Sequence, residues 1–234
     1  VLDQRTLETE AARQAASDLI ALPGQELAQA FFSSLLDDAP LVEPGSDPLD
    51  PTGDHVLNPD FADYSPNGGL KPAAVLIAVD TAAREPDVTL TVRTAHLSAH
   101  AGQIAFPGGR MDAGEVPAVT ALREAHEEVA LEADIVDLRG FLPAYRSRTG
   151  YRVFPVVGQV DGMPPLTPSP AEVDQIFTVP LRFLLNPANA QSASRVFEGK
   201  KRFFYNYQYQ NHAIWGLTAG IVHHMSERLI TTRI

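Results

Sequence analysis

The chain predicts an α+β fold built on a mixed sheet, and three observations carry that prediction. Strand-like and helix-like segments follow one another without the regular strand–helix–strand alternation of a doubly wound sheet. Helical signals mark Thr6–Leu36, the stretch from about Pro117, and Leu217–Leu229, while short β-rich runs occupy much of the remainder. At 234 residues the chain is long enough for one substantial core with an added N-terminal element.

Each element has its reason. Thr6–Leu36 has helical composition and reads as two helices broken at Pro23-Gly24. Asp37–Pro72 is rich in Pro, Gly and Asp with little periodicity, and reads as a long loop or arm, either wrapping the core or partly disordered. Ala73–Val79 and Val88–Arg93 are strands with a turn between them. A helix starts near Glu115–Pro117, because proline is tolerated in a first turn, where its missing N–H costs nothing. Strands follow near Ile135–Leu142 and Tyr151–Val160, and Gln175–Val179, Ser194–Phe197 and Phe203–Trp215 supply more. The alternating aromatics of FFYNYQYQNHAIW argue for a strand first and a stacking platform second. Leu217–Leu229 closes the chain as a helix, and no internal repeat is visible.

Charge is uneven. The net charge is −11, and residues 1–80 hold 14 acidic against 3 basic residues, whereas residues 81–234 hold 15 of each. The acidity belongs to the front segment, whose open uses are shielding a site, forming a homodimer contact or adding solubility. Such a balance speaks against binding nucleic acid or an anionic membrane by charge. The absence of cysteine rules out disulfides and thiolate metal sites. No apolar run approaches the length of a membrane span and no secretory signal is evident, so a cytoplasmic location is the expectation.

Function is legible in GRMDAGEVPAVTALREAHEEVAL, from Gly109 to Leu131. At about 100° per residue, Ala118, Ala121, Leu122, Ala125 and Val129 form one apolar face. Glu124, Glu127 and Glu128 lie roughly opposite, close enough on a helix to point at one place. Periodicity alone leaves two uses open: an ordinary solvated acidic face, or a carboxylate set for a hard divalent cation.

The wider pattern decides between them. Gly109, five residues, Glu115, seven residues, then Arg123-Glu124-Ala125-x-Glu127-Glu128-x-Ala130-Leu131 resembles the Nudix box of hydrolases that cleave a diphosphate linked to another group. One position departs, since Ala130 stands where the family has the glycine that ends the helix. The resemblance implies an α/β/α sandwich around a mixed sheet, with Mg2+ or Mn2+ held by Glu124, Glu127 and Glu128. It also implies a structural brace between Glu115 and Arg123, and a catalytic set of Glu127, Glu128 and Arg123. Gly108 and Gly109 let the backbone approach substrate without a side chain in the way.

Upstream, LTVRTAHLSAHAGQIAFPGG (90–109) is similar to the motif before the box in coenzyme A pyrophosphatases, through Thr91, Gly102, Phe106, Pro107, Gly108 and Gly109. Thr94 and Ser98 depart from the serine and arginine of that group, and His100, typical of it, is given no catalytic role. Similarity extends through Gly140–Gly158, Pro170–Leu181 and Ile214–Val222, so that residues 71–234 form the hydrolase domain and residues 1–70 an extension. By this resemblance Glu172 is a candidate base, against a solvated or capping loop glutamate. Arg146 and Arg148 are candidate contacts for the 3′-phosphate of coenzyme A, with Arg152 near them and Lys200, Lys201 and Arg202 as a second basic group; solvated faces are the plainer use of both groups. The implied reaction yields 4′-phosphopantetheine and adenosine 3′,5′-bisphosphate from a small-molecule substrate. Two alternatives stand beside it: the same site acting on ADP-ribose, NADH or a nucleoside triphosphate, and a non-catalytic regulator, against which the full carboxylate set argues.

Overall fold

A computed structural model describes residues 10–39, 52–61, 69–95, 102–197 and 199–233. Helices α1 (Glu10–Ala21) and α2 (Gly24–Phe32) are separated at Pro23, as the sequence leads one to expect. Next come β1 (Thr52–Gly53), α3 (Asp54–Leu57) and a 3-10 turn at Pro59–Phe61, all inside the stretch expected to be a loop or arm. They are ordered because the Asp54 carboxylate accepts hydrogen bonds from the Tyr145 hydroxyl and the Arg148 N–H, both at 2.8 Å. Residues 40–51 and 62–68 of that stretch, and residues 6–9 of the first expected helix, lie outside the described residues.

The sheet follows with β2 (Lys71–Asp80), β3 (Asp87–Arg93), β4 (Ile104–Ala105) and β5 (Gly108–Arg110), and then helix α4 (Pro117–Val129). Strands β6 (Asp137–Phe141), β7 (Tyr145–Arg146), β8 (Tyr151–Val160) and β9 (Val173–Pro180) complete it, and a short helix α5 (Leu181–Leu185) leaves its edge. A second, three-stranded antiparallel sheet contains β10 (Gln191–Phe197), β11 (Lys200–Tyr209) and β12 (His212–Trp215), before the closing helix α6 (Leu217–Thr231). The expected single strand over Phe203–Trp215 is thus two strands. Gln210 takes a left-handed backbone (φ 50°) and reverses the chain there. The expected strand at Ile135–Leu142 begins as a 3-10 turn at Ala133–Ile135, and the one at Ser194–Phe197 starts earlier, at Gln191.

Two features of the main sheet position the site. β2 and β8 run parallel over their full length, with Lys71 beside Tyr151 and Asp80 beside Val160. β3, by contrast, pairs with β2 only at Val79–Val88 and Asp80–Asp87, then diverges to pair with β4 on that edge, while β9 lines its other edge from Asp87 to Arg93. The edge of β2 left open is taken by β5, with Ala74 opposite Gly109 and Val75 opposite Gly108.

Alternation along β2 sorts the layers. Ala74, Leu76 and Ala78 pack with Ala121, Ala125 and Val129 of α4, while Ala73, Ile77 and Val79 join the apolar cluster that contains α1, α2, α5 and α6 residues. The result is a mixed sheet between two helical layers, the α/β/α sandwich. Ala12, Leu19, Leu27 and Phe31 of the N-terminal helices share that second cluster with the sheet. Burying each such large aliphatic or aromatic side chain contributes about 1.5–3 kcal/mol, so these helices are packed as core.

Candidate active site

α4 begins at Pro117 and its N-cap, Val116, offers no side-chain cap. Glu115, just outside the helix, instead ties the preceding loop to side chains of α4. One of its oxygens accepts from the Asp112 N–H (2.9 Å) and the Thr120 hydroxyl (2.7 Å), and both meet Arg123, at 2.9 Å from Nε and 3.0 Å from Nη2. Those bonds, that to Arg123 foremost, hold the Glu115 carboxyl down at about 2. Arg123 reaches further: Nη2 donates to the Arg110 carbonyl (3.1 Å), and Nη1 to Glu124 (2.9 Å) and Glu127 (3.4 Å). Loop, strand β5 and helix are pinned by one guanidinium. The pair expected to brace loop against helix forms that contact.

Gly108 and Gly109 are where the helix comes down onto β5. A Cβ on Gly109 would overlap the Glu124 carboxylate, and one on Gly108 would overlap the backbone of Ala74 and Val75. The bare Gly108 N–H donates to Glu128 Oε2 at 3.2 Å, and Arg93 Nη1 meets Glu128 Oε1 at 3.0 Å. The Glu128 side chain is only 3% exposed. Burial raises its carboxyl to about 7 despite the Gly108 N–H and Arg93, and the negative charges of Glu172 and Glu124 add to the rise. Burial likewise raises Glu124, partly offset by Arg123. Glu172 stands in the loop ahead of β9, half-exposed, with Oε2 at 3.7 Å from Arg93 Nη2.

Glu124, Glu128 and Glu172 thus lie around Gly108-Gly109, and Glu127 sits on the exposed side of α4. Their carboxylates differ from expectation in one respect. Among the described residues no three acidic or histidine side chains close on a single point. Like charges repel, so Glu124 and Glu127 turn to Arg123, and Glu128 and Glu172 turn to Arg93. The donor set still suits a hard divalent cation. It is all oxygen, Gly109 leaves the Glu124 carboxylate its space, and four carboxylates face two guanidinia with one of them buried and held near 7.

The expected basic groups separate. Arg146 and Arg152 are paired across β7 and β8, and Phe154, two residues on, belongs to the cluster under α4, so both arginines point to the α4 face. Both are buried, and β8 and β2 stand between Arg146 and β5. Arg148 instead lies over the Phe197 ring, 3.6 Å from its centroid. Lys200 and Arg202 both pair with Asp60, and Lys201 lies over the Phe203 ring. His100 and Ser98 lie outside the described residues. Sequence reasoning missed Arg93 and Thr120. The signal for Arg93 was a charge ending the otherwise uncharged run Val88–Val92.

A family profile described as the NUDIX domain matches residues 70–198. An uncharacterized Nudix hydrolase, NudL, of Yersinia pestis (strain Pestoides F) is 41% identical over 158 residues, which cover 67% of this chain and 79% of that protein; the NudL of Yersinia pseudotuberculosis serotype O:1b matches equally. The chain belongs to the Nudix family. Among solved structures, the Nudix hydrolase RenU of M. Smegmatis is 23% identical, covering 50% of this chain and 78% of that one with a TM-score of 0.43. Nudix hydrolases act on small-molecule diphosphates and generally use divalent ions such as Mg2+ or Mn2+. Among the described residues of this Nudix chain, no helix is long and apolar enough to cross a membrane.

Proposed function

We propose that the chain is a divalent-metal-dependent coenzyme A diphosphatase, releasing 4′-phosphopantetheine and adenosine 3′,5′-bisphosphate by attack of water on phosphorus. The observation that carries the hydrolytic reading is the Glu128 carboxylate, buried between the Gly108 N–H and Arg93 with Glu124 and Glu172 beside it. The substrate rests on the residues from Leu90 to Gly109 that resemble the coenzyme A group.

Glu124, Glu127 and Glu128 would hold the ions. A divalent ion bound there supplies Lewis acidity toward the phosphoryl oxygens and lowers the pKa of water. The chain's own residues do the rest. Arg123 and Glu115 keep Glu124 and Glu127 in place, and Gly108-Gly109 lets a diphosphate approach the backbone closely. Glu172, half-exposed at the rim, is the candidate to take a proton from the attacking water. The 3′-phosphate calls for cations beyond the box. The two candidates for that role are Arg146, which shares the α4 face with Arg152, and Arg148, which lies over Phe197.

Incubation with coenzyme A and Mg2+, followed by chromatographic separation of products, tests reaction and substrate together. Both named products are expected, and chelation of Mg2+ stops their release. A clear preference for ADP-ribose, NADH or a nucleoside triphosphate would favour the second reading, which the departures at Thr94 and Ser98 keep in play.

A further inference from the structure

We propose that Arg93 is a positioning residue that ties Glu172 to Glu128, an inference that rests on the hydrolytic reading above. Its basis is a break in strand register. The ladder between β3 and β9 runs in step from Asp87–Pro180 to Val92–Gln175, then shifts so that Arg93 lies opposite Val173. Asp174 is the extra residue. Bulges of this kind re-aim side chains and are over-represented beside active sites.

Past the bulge the Thr94 N–H donates to the Glu172 carbonyl at 3.0 Å, which fixes the Glu172 backbone next to Arg93. Arg93 is itself fastened on its other edge: its N–H donates to the Gln103 carbonyl (2.9 Å) and its carbonyl accepts from the Gly102 N–H (3.0 Å). From this anchored backbone, two nitrogens of one guanidinium face two carboxylates, Nη1 at 3.0 Å from Glu128 and Nη2 at 3.7 Å from Glu172.

Those carboxylates belong to different elements, one on α4 and one on the loop before β9, and Arg93 links them. A planar fork holds two acceptors in a fixed mutual orientation, whereas an ammonium is a point charge that cannot. One acceptor, Glu128, is buried in the box; the other, Glu172, meets solvent. Arg93 therefore sets where the candidate base stands relative to the candidate ion ligands.

The test compares Arg93→Gln, Arg93→Lys, Glu172→Gln and the double variant Arg93→Gln/Glu172→Gln with the wild type, using whichever diphosphate the wild type turns over fastest. Kinetics are read beside thermal denaturation and Mn2+ binding by titration. Arg93→Gln should lower kcat roughly 10²-fold with KM within about threefold. Arg93→Lys should recover less than about a tenth of the lost rate, since it keeps the charge and loses the fork. The double variant should stay within about threefold of the slower single variant, because residues acting as a unit are non-additive. Mn2+ binding should be no weaker in any Arg93 variant.

Multiplicative losses in the double variant, a full rate in Arg93→Lys, or loss of Mn2+ binding together with turnover would each overturn the role of Arg93 while leaving the hydrolytic reading intact. A wild-type chain that hydrolyses no diphosphate overturns both.

Discussion

Two guanidinia hold the box carboxylates, and they do so under opposite conditions. Arg123 gathers Glu115, Glu124 and Glu127 from its own stretch of chain, whereas Arg93 draws Glu128 and Glu172 from two other elements. At Glu115 the hydrogen bonds, that from Arg123 foremost, outweigh desolvation and drive the carboxyl down to about 2. At Arg93 burial outweighs pairing, and Glu128 is pushed up to about 7. The same kind of ion pair gives shifts of opposite sign because only one of them is buried. The first arrangement is a fastening between loop and helix. The second keeps a carboxylate under electrostatic tension beside a glycine loop, where a cation would relieve it.

The largest expected effect breaks the second arrangement. Glu128→Gln should lower turnover roughly 10³-fold, equivalent to about 4 kcal/mol of lost transition-state stabilisation, and Glu127→Gln should also fall severely. The fold should respond in the other direction at Glu128. Its folded pKa lies above the ordinary value, so the folded chain binds that proton more tightly than the unfolded one. Stability therefore falls as pH rises from about 4.5 to about 7, and the penalty is complete above that window. Glutamine removes it. In metal-free buffer above pH 7, Glu128→Gln should melt at a higher temperature than the wild type; a lower one would show that pairing, and not burial, governs this carboxylate.

Gly109→Ala comes next. Its Cβ would displace the Glu124 carboxylate, and a misplaced catalytic group costs on the order of 10²-fold in rate. Gly108→Ala collides instead with the β2 backbone, so it should destabilise the chain, by about 1–3 kcal/mol. Circular dichroism on the two variants separates these outcomes, and an unfolded Gly109→Ala would remove the distinction.

The Arg123 side is sharpened by acid. Glu115 has a folded pKa near 2 against an ordinary 4.5, so its contribution is present above pH 4.5 and lost as pH falls toward 2. Glu115→Gln should lack that portion of the acid-induced loss of stability, measured by denaturant midpoints across the window. Arg123→Gln should reduce turnover roughly 10–100-fold, the range for residues that orient metal ligands, and should remove most of the difference between wild type and Glu115→Gln in acid.

The same contrast explains what could be read without a structure. The Arg123 network is local, and helical spacing alone puts Arg123 beside Glu127 and turns Glu124 and Glu128 to the same side. The Arg93 link depends on a bulge at Asp174 and on where β3 leaves β2, neither of which has a compositional mark. Glu172 came into view only through family resemblance. Arg146, Arg148 and Arg152 look equivalent along the chain, and strand register separates them. The α+β class was legible from the order of the elements, and β2, β8 and α4 were legible because they are long, whereas the sandwich layers came from the family resemblance. Strands β4 and β5 were not legible, being two and three residues long, too short for alternation to show.

The smallest effect concerns the C-terminal end of α4, just past Glu127 and Glu128. Ala130 takes the left-handed conformation, φ 57° and ψ 36°, and its N–H donates to the His126 carbonyl at 2.9 Å. This αL cap is the geometry that glycine serves in the family pattern. The Leu131 N–H closes on the Ala125 carbonyl at 3.4 Å, and its side chain is buried under α4, so packing holds the turn although alanine disfavours it. A Cβ in this conformation costs roughly 1–2 kcal/mol, and the greater unfolded-chain entropy of glycine offsets part of that. Ala130→Gly should accordingly stabilise the chain by about 0.5–1 kcal/mol, a rise of roughly 1–4 °C in Tm. Its kcat should not change, since Ala130 orients no carboxylate. A gain in turnover without a gain in Tm would mean that the cap governs how Glu127 and Glu128 are held, and would join the two networks that the structure keeps apart.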